Sequence, residues 1–207
     1  MQPMPETSLY QPLPELKVSQ HLYKTKIDGL YYFEFAIHRD ERGFFSELVK
    51  VPEIEQVTGQ PFMVKQVNMS VSQQNVVRGL HSEGWSKLVT VVQGKAFCAL
   101  ADVRPSSPTY KQVECFEFTA TLEGFAGGLF VPPGIGNSIC VLEGPVAYVY
   151  AVDKIYSQRD PAGDIAVSLF DPELNITWPI AQEQMIISER DRKCVTLHER
   201  EAAATRK

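Results

Sequence analysis

Arg78-Gly79-Leu80-His81, followed shortly by Lys87-Leu88-Val89, brings an arginine, a histidine and a lysine within ten residues. The stretch reads as a turn between two strands. An arginine forks onto a diphosphate. A histidine near its free pKa accepts a proton at neutral pH. A lysine ammonium steadies a developing oxyanion. Together they suit removal of a proton beside a carbonyl on a phosphorylated substrate. Alone, the stretch is equally compatible with three unrelated polar residues on a surface loop.

These residues need a frame to hold them, and the chain around them reads as strands. Tyr31 to Ile37 is rich in β-formers and runs into the turn-forming Arg39–Gly43. Leu88 to Val92, then Gln93-Gly94, then Ala96 to Val103 has the pattern of a hairpin. Tyr110 to Ala120 is strand-like, but neither face is cleanly apolar, so its inward side stays open. Gly128 to Val131 ends at Pro132-Pro133-Gly134, a strong turn. Ser138–Leu142, Ala147–Val152 and Ile165–Leu169 complete the series. Short strands broken by Gly and Pro about every ten residues predict an all-β sandwich or barrel. Such a fold holds a ligand in its mouth or interior. Helical periodicity is weak: short helices are expected at Pro52–Gln60 and within Ala181–Met185, and the polar tail from Leu197 onward is helical or frayed.

A length of 207 residues suits one domain with tails, and an apolar share of 44% with 22% charged residues is ordinary for a globular chain. The division read from the sequence is an N-terminal arm over 1–26, a barrel over 27–180 and a C-terminal segment over 181–207. The net charge of −5 and a pI near 5.4 argue against nucleic acid or an anionic membrane as a partner. No apolar run approaches the ~20 residues of a membrane span. The proline-bearing N-terminus lacks a secretory pattern and suggests a draped arm. Cys98, Cys115, Cys140 and Cys194 have no CxxC spacing; three lie in strand-like runs, which predicts reduced thiols in a cytoplasmic protein. His21, His38 and His198 are expected at the surface.

From Tyr31 to Asp191 the chain resembles the dTDP-4-dehydrorhamnose 3,5-epimerase family of cupin-type β-barrels. The resemblance rests on ordered motifs. They are Asp40-Glu41-Arg42-Gly43-Phe44-Phe45-Ser46-Glu47, Gln66-Val67-Asn68-Met69-Ser70, the Arg78–His81 and Lys87–Val89 segments, and Asp102-Val103-Arg104 with Ser107-Pro108-Thr109. Val131–Gly134, Ile176-Thr177-Trp178-Pro179 and Ser188-Glu189-Arg190-Asp191 follow. The His81–Lys87 connection looks like the compact version of some bacterial members.

The resemblance implies a jelly-roll fold and an enzyme without cofactor or metal. It would epimerise a nucleotide-linked 4-keto-6-deoxyhexose beside the ketone, in deoxysugar biosynthesis for a surface polysaccharide or glycoside. It matches His81 to the base, Asp191 to its paired carboxylate, Lys87 to the enolate-oxygen contact, and Tyr156 to the tyrosine returning a proton on the opposite face. Tyr156 lies six residues after Tyr150, matched to another substrate contact. Arg78 matches a diphosphate contact, and Gln66 and Asn68 match polar groups near phosphates and sugar. Arg42, Phe45 and Glu47 match nucleotide contacts that in the family reach across a homodimer. Without the family, Tyr156 reads as a strand-end tyrosine, Asp191 as a turn cap, and Arg42 with Glu47 as a solvated pair. Phe44 and Phe45 are adjacent, so only one is free for a base.

Two positions depart from the family pattern. Asn137 stands where many members carry a second histidine, and Cys98 where many carry an inward aspartate. Asn137 still donates and accepts hydrogen bonds but cannot titrate. The departures keep open an enzyme acting at C3 or C5 only, or on a CDP- or GDP-linked sugar. A non-catalytic nucleotide-sugar binder is the alternative from another class.

Overall fold

The computed structural model describes residues 8–121, 124–125, 127–158 and 163–205. Two short strands open the fold, β1 (Leu22–Lys24) and β2 (Tyr31–Phe33). A hairpin follows, β3 (Ala36–Asp40) and β4 (Gly43–Glu47), and then a helix, α1 (Val51–Thr58). The body is β5 (Gln66–Ser72), β6 (Val76–Ser82), β7 (Lys87–Asp102), β8 (Val113–Thr121), β9 (Gly124–Phe125), β10 (Gly128–Val131) and β11 (Ile135–Val152). Strands β12 (Ile165–Ala166) and β13 (Ile186–Ile187) and helices α2 (Glu189–Arg192) and α3 (Leu197–Thr205) close the chain.

Two strands organise everything else. The first half of β7 pairs with β10 and with the second half of β11, which also pairs with β5; β2 and β1 extend this sheet beyond β10. The second half of β7 pairs with β8 and with the first half of β11, which also pairs with β6. Strands β12 and β13 add to β6. Both long strands therefore belong to both sheets, and the two halves fold face to face as a jelly-roll sandwich.

Three sequence expectations change here. Leu88–Val103 is one strand, not a hairpin. Gly94 adopts φ 80° and bends β7 while β11 pairs on either side of it. A Cβ at Gly94 would sit 2.6 Å from the Pro145 carbonyl oxygen, so glycine is required at this bend. Likewise Ser138–Leu142 and Ala147–Val152 are one strand, because register shifts between Val141 and Ala147 let β11 turn the same corner. In the Ala181–Met185 stretch the structure has only a 3-10 turn over Gln182–Gln184. The expected helix near Pro52 is α1, with Pro52 in its first turn and Gly59 capping it at φ 67°.

The open question about β8 resolves with the packing. Phe116, Phe118 and Ala120 face the inter-sheet core with Val89, Val91, Ala96, Cys98, Leu100 and Ile139. The outer faces are also covered. Phe97, Ala99 and Ala101 pack under Leu169, Leu174, Trp178 and Ile187 from the C-terminal segment. Leu88 and Phe130 pack against Ile54 of α1 and Phe62. A sheet buried on both faces loses the polar/apolar alternation that marks an inward side. The arm is anchored as far back as Tyr10, whose N–H donates to the Cys115 carbonyl and whose ring lies 5.0 Å from Phe116. The four cysteines are free thiols, and burial pushes Cys115 up to about 11 and Cys140 up to about 12.

Candidate active site

One open end of the sandwich is not filled by side chains. The register builds its floor in rows across the first sheet. Gln66, Val152 and Lys87 align, then Asn68, Tyr150 and Val89, then Ser70, Tyr148 and Val91. Period-two alternation points Gln66, Asn68 and Ser70 to one side of β5, and Tyr148, Tyr150 and Val152 to one side of β11. The facing wall comes from the second sheet, where His81 lies opposite Asn137 and Arg78 opposite Ile139. Between the walls is a cavity of about 230 Å³, lined by Gln66, Asn68, Arg78, His81, Lys87, Asn137, Tyr150 and Tyr156 together with Glu83, Trp85 and Tyr148.

Gly79 lets the reactive wall close up. It has φ 122°, and a Cβ there would approach the Ser138 Cβ to 2.6 Å and the Asn137 carbonyl oxygen to 2.7 Å. Only glycine lets β6 and β11 meet this closely between Arg78 and His81.

His81 and Asp191 are 110 residues apart in sequence, and His81 Nε2 lies 2.8 Å from Asp191 Oδ1. Ser188 caps α2 by accepting from the Asp191 N–H at 3.1 Å, so the turn-capping role falls to Ser188 and the buried Asp191 carboxylate is left for the imidazole. With Nε2–H donated to the carboxylate, Nδ1 carries the lone pair. The arrangement fixes the tautomer and stabilises an imidazolium.

Lys87 starts β7 and is only 6% exposed, in contact with the Glu83 carboxylate. Asn137 Nδ2 donates to the Tyr148 hydroxyl at 3.0 Å, so Asn137 positions a buried tyrosine rather than standing alone in the cavity. Arg78 Nε donates to Ser72 Oγ at 3.0 Å. Cys98 lies in the inter-sheet core and does not line the cavity.

The two tyrosines differ. Tyr150 is half-buried on the floor; burial and the Glu83 carboxylate raise its pKa, which keeps the phenol protonated. Tyr156 begins a 3-10 turn at the rim, 55% exposed, and its N–H donates to Gln66 Oε1 at 2.9 Å. Tyr156 also shares with His81 and Trp85 a second cleft of about 50 Å³.

Arg42, Phe45 and Glu47 do not reach this cavity within one chain. Among the described residues, strands β3 and β4 pair only with each other, apart from the main sheet. Arg42 pairs with Asp40, Glu47 with Lys50, and Phe45 is 65% exposed. The solvated Arg42–Glu47 pair does not form. Of the neighbouring phenylalanines, Phe45 stacks on His38 at 6.2 Å, and the Arg39 guanidinium lies 5.7 Å over the Phe44 ring. His21 also departs from expectation: it is partly buried, with Nδ1 2.7 Å from Glu53 Oε1.

Sequence reasoning missed Glu83, Trp85, Ser70 and Tyr148 as lining residues. Ser70 and Tyr148 were within reach of a period-two reading from Asn68 and Tyr150. Glu83 and Trp85 sit in a short connection that has no period to read.

A sequence profile of the dTDP-4-dehydrorhamnose 3,5-epimerase family matches residues 24–199. The chain belongs to this family. It is 32% identical over 177 residues to a dTDP-4-dehydrorhamnose 3-epimerase of Streptomyces niveus, covering 84% of this chain and 82% of that one. It is 31% identical over 175 residues to a dTDP-4-dehydrorhamnose 3,5-epimerase of Shigella flexneri, covering 83% and 92%. Among solved structures, a 3'-monoepimerase of Streptomyces bikiniensis superposes with TM-score 0.77 at 27% identity, covering 87% of this chain and 89% of that one. That protein was solved with dTDP bound, as a double mutant in which one histidine is asparagine and one tyrosine is phenylalanine. Members of the dTDP-4-dehydrorhamnose 3,5-epimerase family thus resemble this chain over nearly the whole jelly roll, including both walls of the cavity.

Proposed function

We propose that the chain epimerises a dTDP-linked 4-keto-6-deoxyhexose, using His81 as base. The observation that carries this reading is His81, backed by buried Asp191, facing Lys87 and Tyr150 across one cavity. The volume is small beside the ~300–1,000 Å³ of ordinary ligand sites and suits a single sugar ring with the nucleotide outside. Nδ1 of His81 takes the proton from a carbon beside the ketone. The C–H electron pair moves into the ring and onto the ketone oxygen, where the Lys87 ammonium meets the negative charge. A hydroxyl from the other side then returns a proton to that carbon, which inverts it.

Tyr150 fits the returning acid better than Tyr156. It stands on the sheet opposite His81, protonated and half-buried, whereas Tyr156 is 55% exposed at the rim. The test is deuterium wash-in from solvent at C3 and C5 of dTDP-4-keto-6-deoxyglucose. Tyr150→Phe should lose net inversion while wash-in persists, and Tyr156→Phe should keep both. The reverse pattern returns the role to Tyr156. Exchange at C3 alone would make the enzyme a monoepimerase. The non-titrating Asn137 and the relatives named as 3-epimerases favour that second reading. Nucleotide binding without any wash-in would make it a binder.

The partner that completes the site is a second copy of this chain. Val67, Met69 and Val71 form an exposed apolar row on β5, continuous with exposed Met63 and Val64. Strand β5 pairs only with β11 among the described residues. The detached β3–β4 hairpin presents Phe45 and Arg42 to solvent in the same chain. A second copy covering that row would let the hairpin deliver a ring and a guanidinium toward a nucleotide. Sedimentation at micromolar concentration should give a dimer, and Val67→Asp with Met69→Asp should give a monomer.

A further inference from the structure

We infer that Glu83 is the specificity-determining residue for the hydroxyl on C3 of the substrate sugar, a role that rests on the epimerase reading above. Three observations lead there. Glu83 lines the cavity and contacts the Lys87 ammonium, and both side chains are largely enclosed, at 20% and 7% exposure. Its charge reaches the cavity floor, since it contributes to raising both Tyr148 and Tyr150 after the effect of their burial. It also lies one residue past the end of β6, two positions after His81, and both residues line the same cavity.

Several other polar groups of the cavity hold protein partners, and the unpartnered Trp85 Nε1–H is a donor that offers no acceptor. Asn137 holds Tyr148, Gln66 holds Asn68 and the Tyr156 N–H, and Arg78 holds Ser72. A carboxylate offers about four lone-pair sites, and contact with one ammonium leaves acceptor capacity over. Glu83 is therefore an acceptor with room for a ligand donor, directly beside a donor with room for a ligand acceptor.

A 4-keto-6-deoxyhexose has the matching pair on one flank only. The ketone oxygen accepts, and the neighbouring C3 carries a hydroxyl that donates. The other neighbour, C5, carries a methyl group and the ring oxygen, neither of which donates. With the ketone oxygen on Lys87, only the C3 hydroxyl can satisfy Glu83. The paired charges thus choose which way round the sugar lies, and they bring C3 toward His81. Glu83 takes no proton in the reaction; it selects and orients.

The experiment compares dTDP-4-keto-6-deoxyglucose with its 3-deoxy analogue in deuterated water, using the full chain and its Glu83→Gln variant, with kcat/KM read from exchange. The wild type should prefer the 3-hydroxy sugar by about 10- to 100-fold, the size of one hydrogen bond to a charged group. In the variant that preference should collapse, through a loss on the 3-hydroxy sugar that lowers C3 exchange more than C5 exchange. Turnover of the 3-deoxy analogue should fall less than that of the 3-hydroxy sugar, and a cooperative melting transition shows that the variant is folded. Equal losses on both sugars would mean that Glu83 only holds Lys87, and would overturn the assignment. So would a wild type that exchanges both sugars without preference, whatever the variant does. A wild type that exchanges neither sugar overturns the epimerase reading, and the Glu83 assignment with it.

Discussion

Among the described residues there are two histidine–carboxylate pairs of nearly equal length. His81 and Asp191 meet at 2.8 Å, His21 and Glu53 at 2.7 Å. Their surroundings separate them. Glu53 is saturated by its own chain: Ser19 Oγ donates to it at 2.7 Å and the His21 N–H at 3.2 Å, in a slot of about 10 Å³. That pair ties the N-terminal arm to α1. Asp191 supports an imidazole whose other nitrogen is left for a cavity of about 230 Å³ lined by a lysine and three tyrosines. A short His–carboxylate contact is therefore no sign of a dyad by itself. What distinguishes the reactive pair is open space, a cation and a proton donor on its far side.

The largest effect should come from removing the reactive imidazole. His81→Asn keeps the size and polarity of the side chain but not its basicity. Wash-in should fall by up to ~10⁴-fold, the upper range for a general base, while dTDP binding measured by calorimetry persists. A rate within tenfold of wild type would make the two pairs equivalent and remove His81 from the mechanism. The next effect is that of Asp191→Asn, where the imidazole remains but loses its fixed tautomer and the partner of its charged form. A loss of ~10²-fold in wash-in is expected. No loss would reduce Asp191 to the same stapling role as Glu53.

Much of this was legible before the structure. Gly and Pro punctuation announced a β fold, and comparison with the family pattern singled out eight residues that share one cavity and the carboxylate behind it. Three kinds of information were not legible. Gly94 looks the same in sequence whether it ends a hairpin or bends a strand, because both need positive φ; pairing with the distant β11 decides. Tyr150 and Tyr156 have the same chemistry, and the difference in their burial is not written in the sequence. Glu83 lies between two recognisable residues, and its meaning depends on where its carboxylate points. His21 was misplaced because Glu53 lies 32 positions away with no motif to join them.

The smallest effect should come from the structural pair, and it carries a pH signature. Burial pushes Glu53 up, but hydrogen bonds from the His21 ring, Ser19 and the His21 backbone outweigh it, and the carboxyl ends below its ordinary 4.5. A carboxylate whose folded pKa is depressed stabilises the fold above its unfolded pKa, and that contribution is lost as pH falls through the folded value. Glu53→Gln removes the charge at every pH. It should cost about 1 kcal/mol at pH 7, which for a chain of this length lowers Tm by about 2–4 °C. Once the pH has fallen below its depressed folded pKa, wild-type Glu53 is itself protonated, so the two melting curves should converge there. Wash-in at neutral pH should match wild type throughout. A Tm difference that persisted in acid would point to lost packing rather than lost charge, and a fall in wash-in would tie the arm to the active cavity after all.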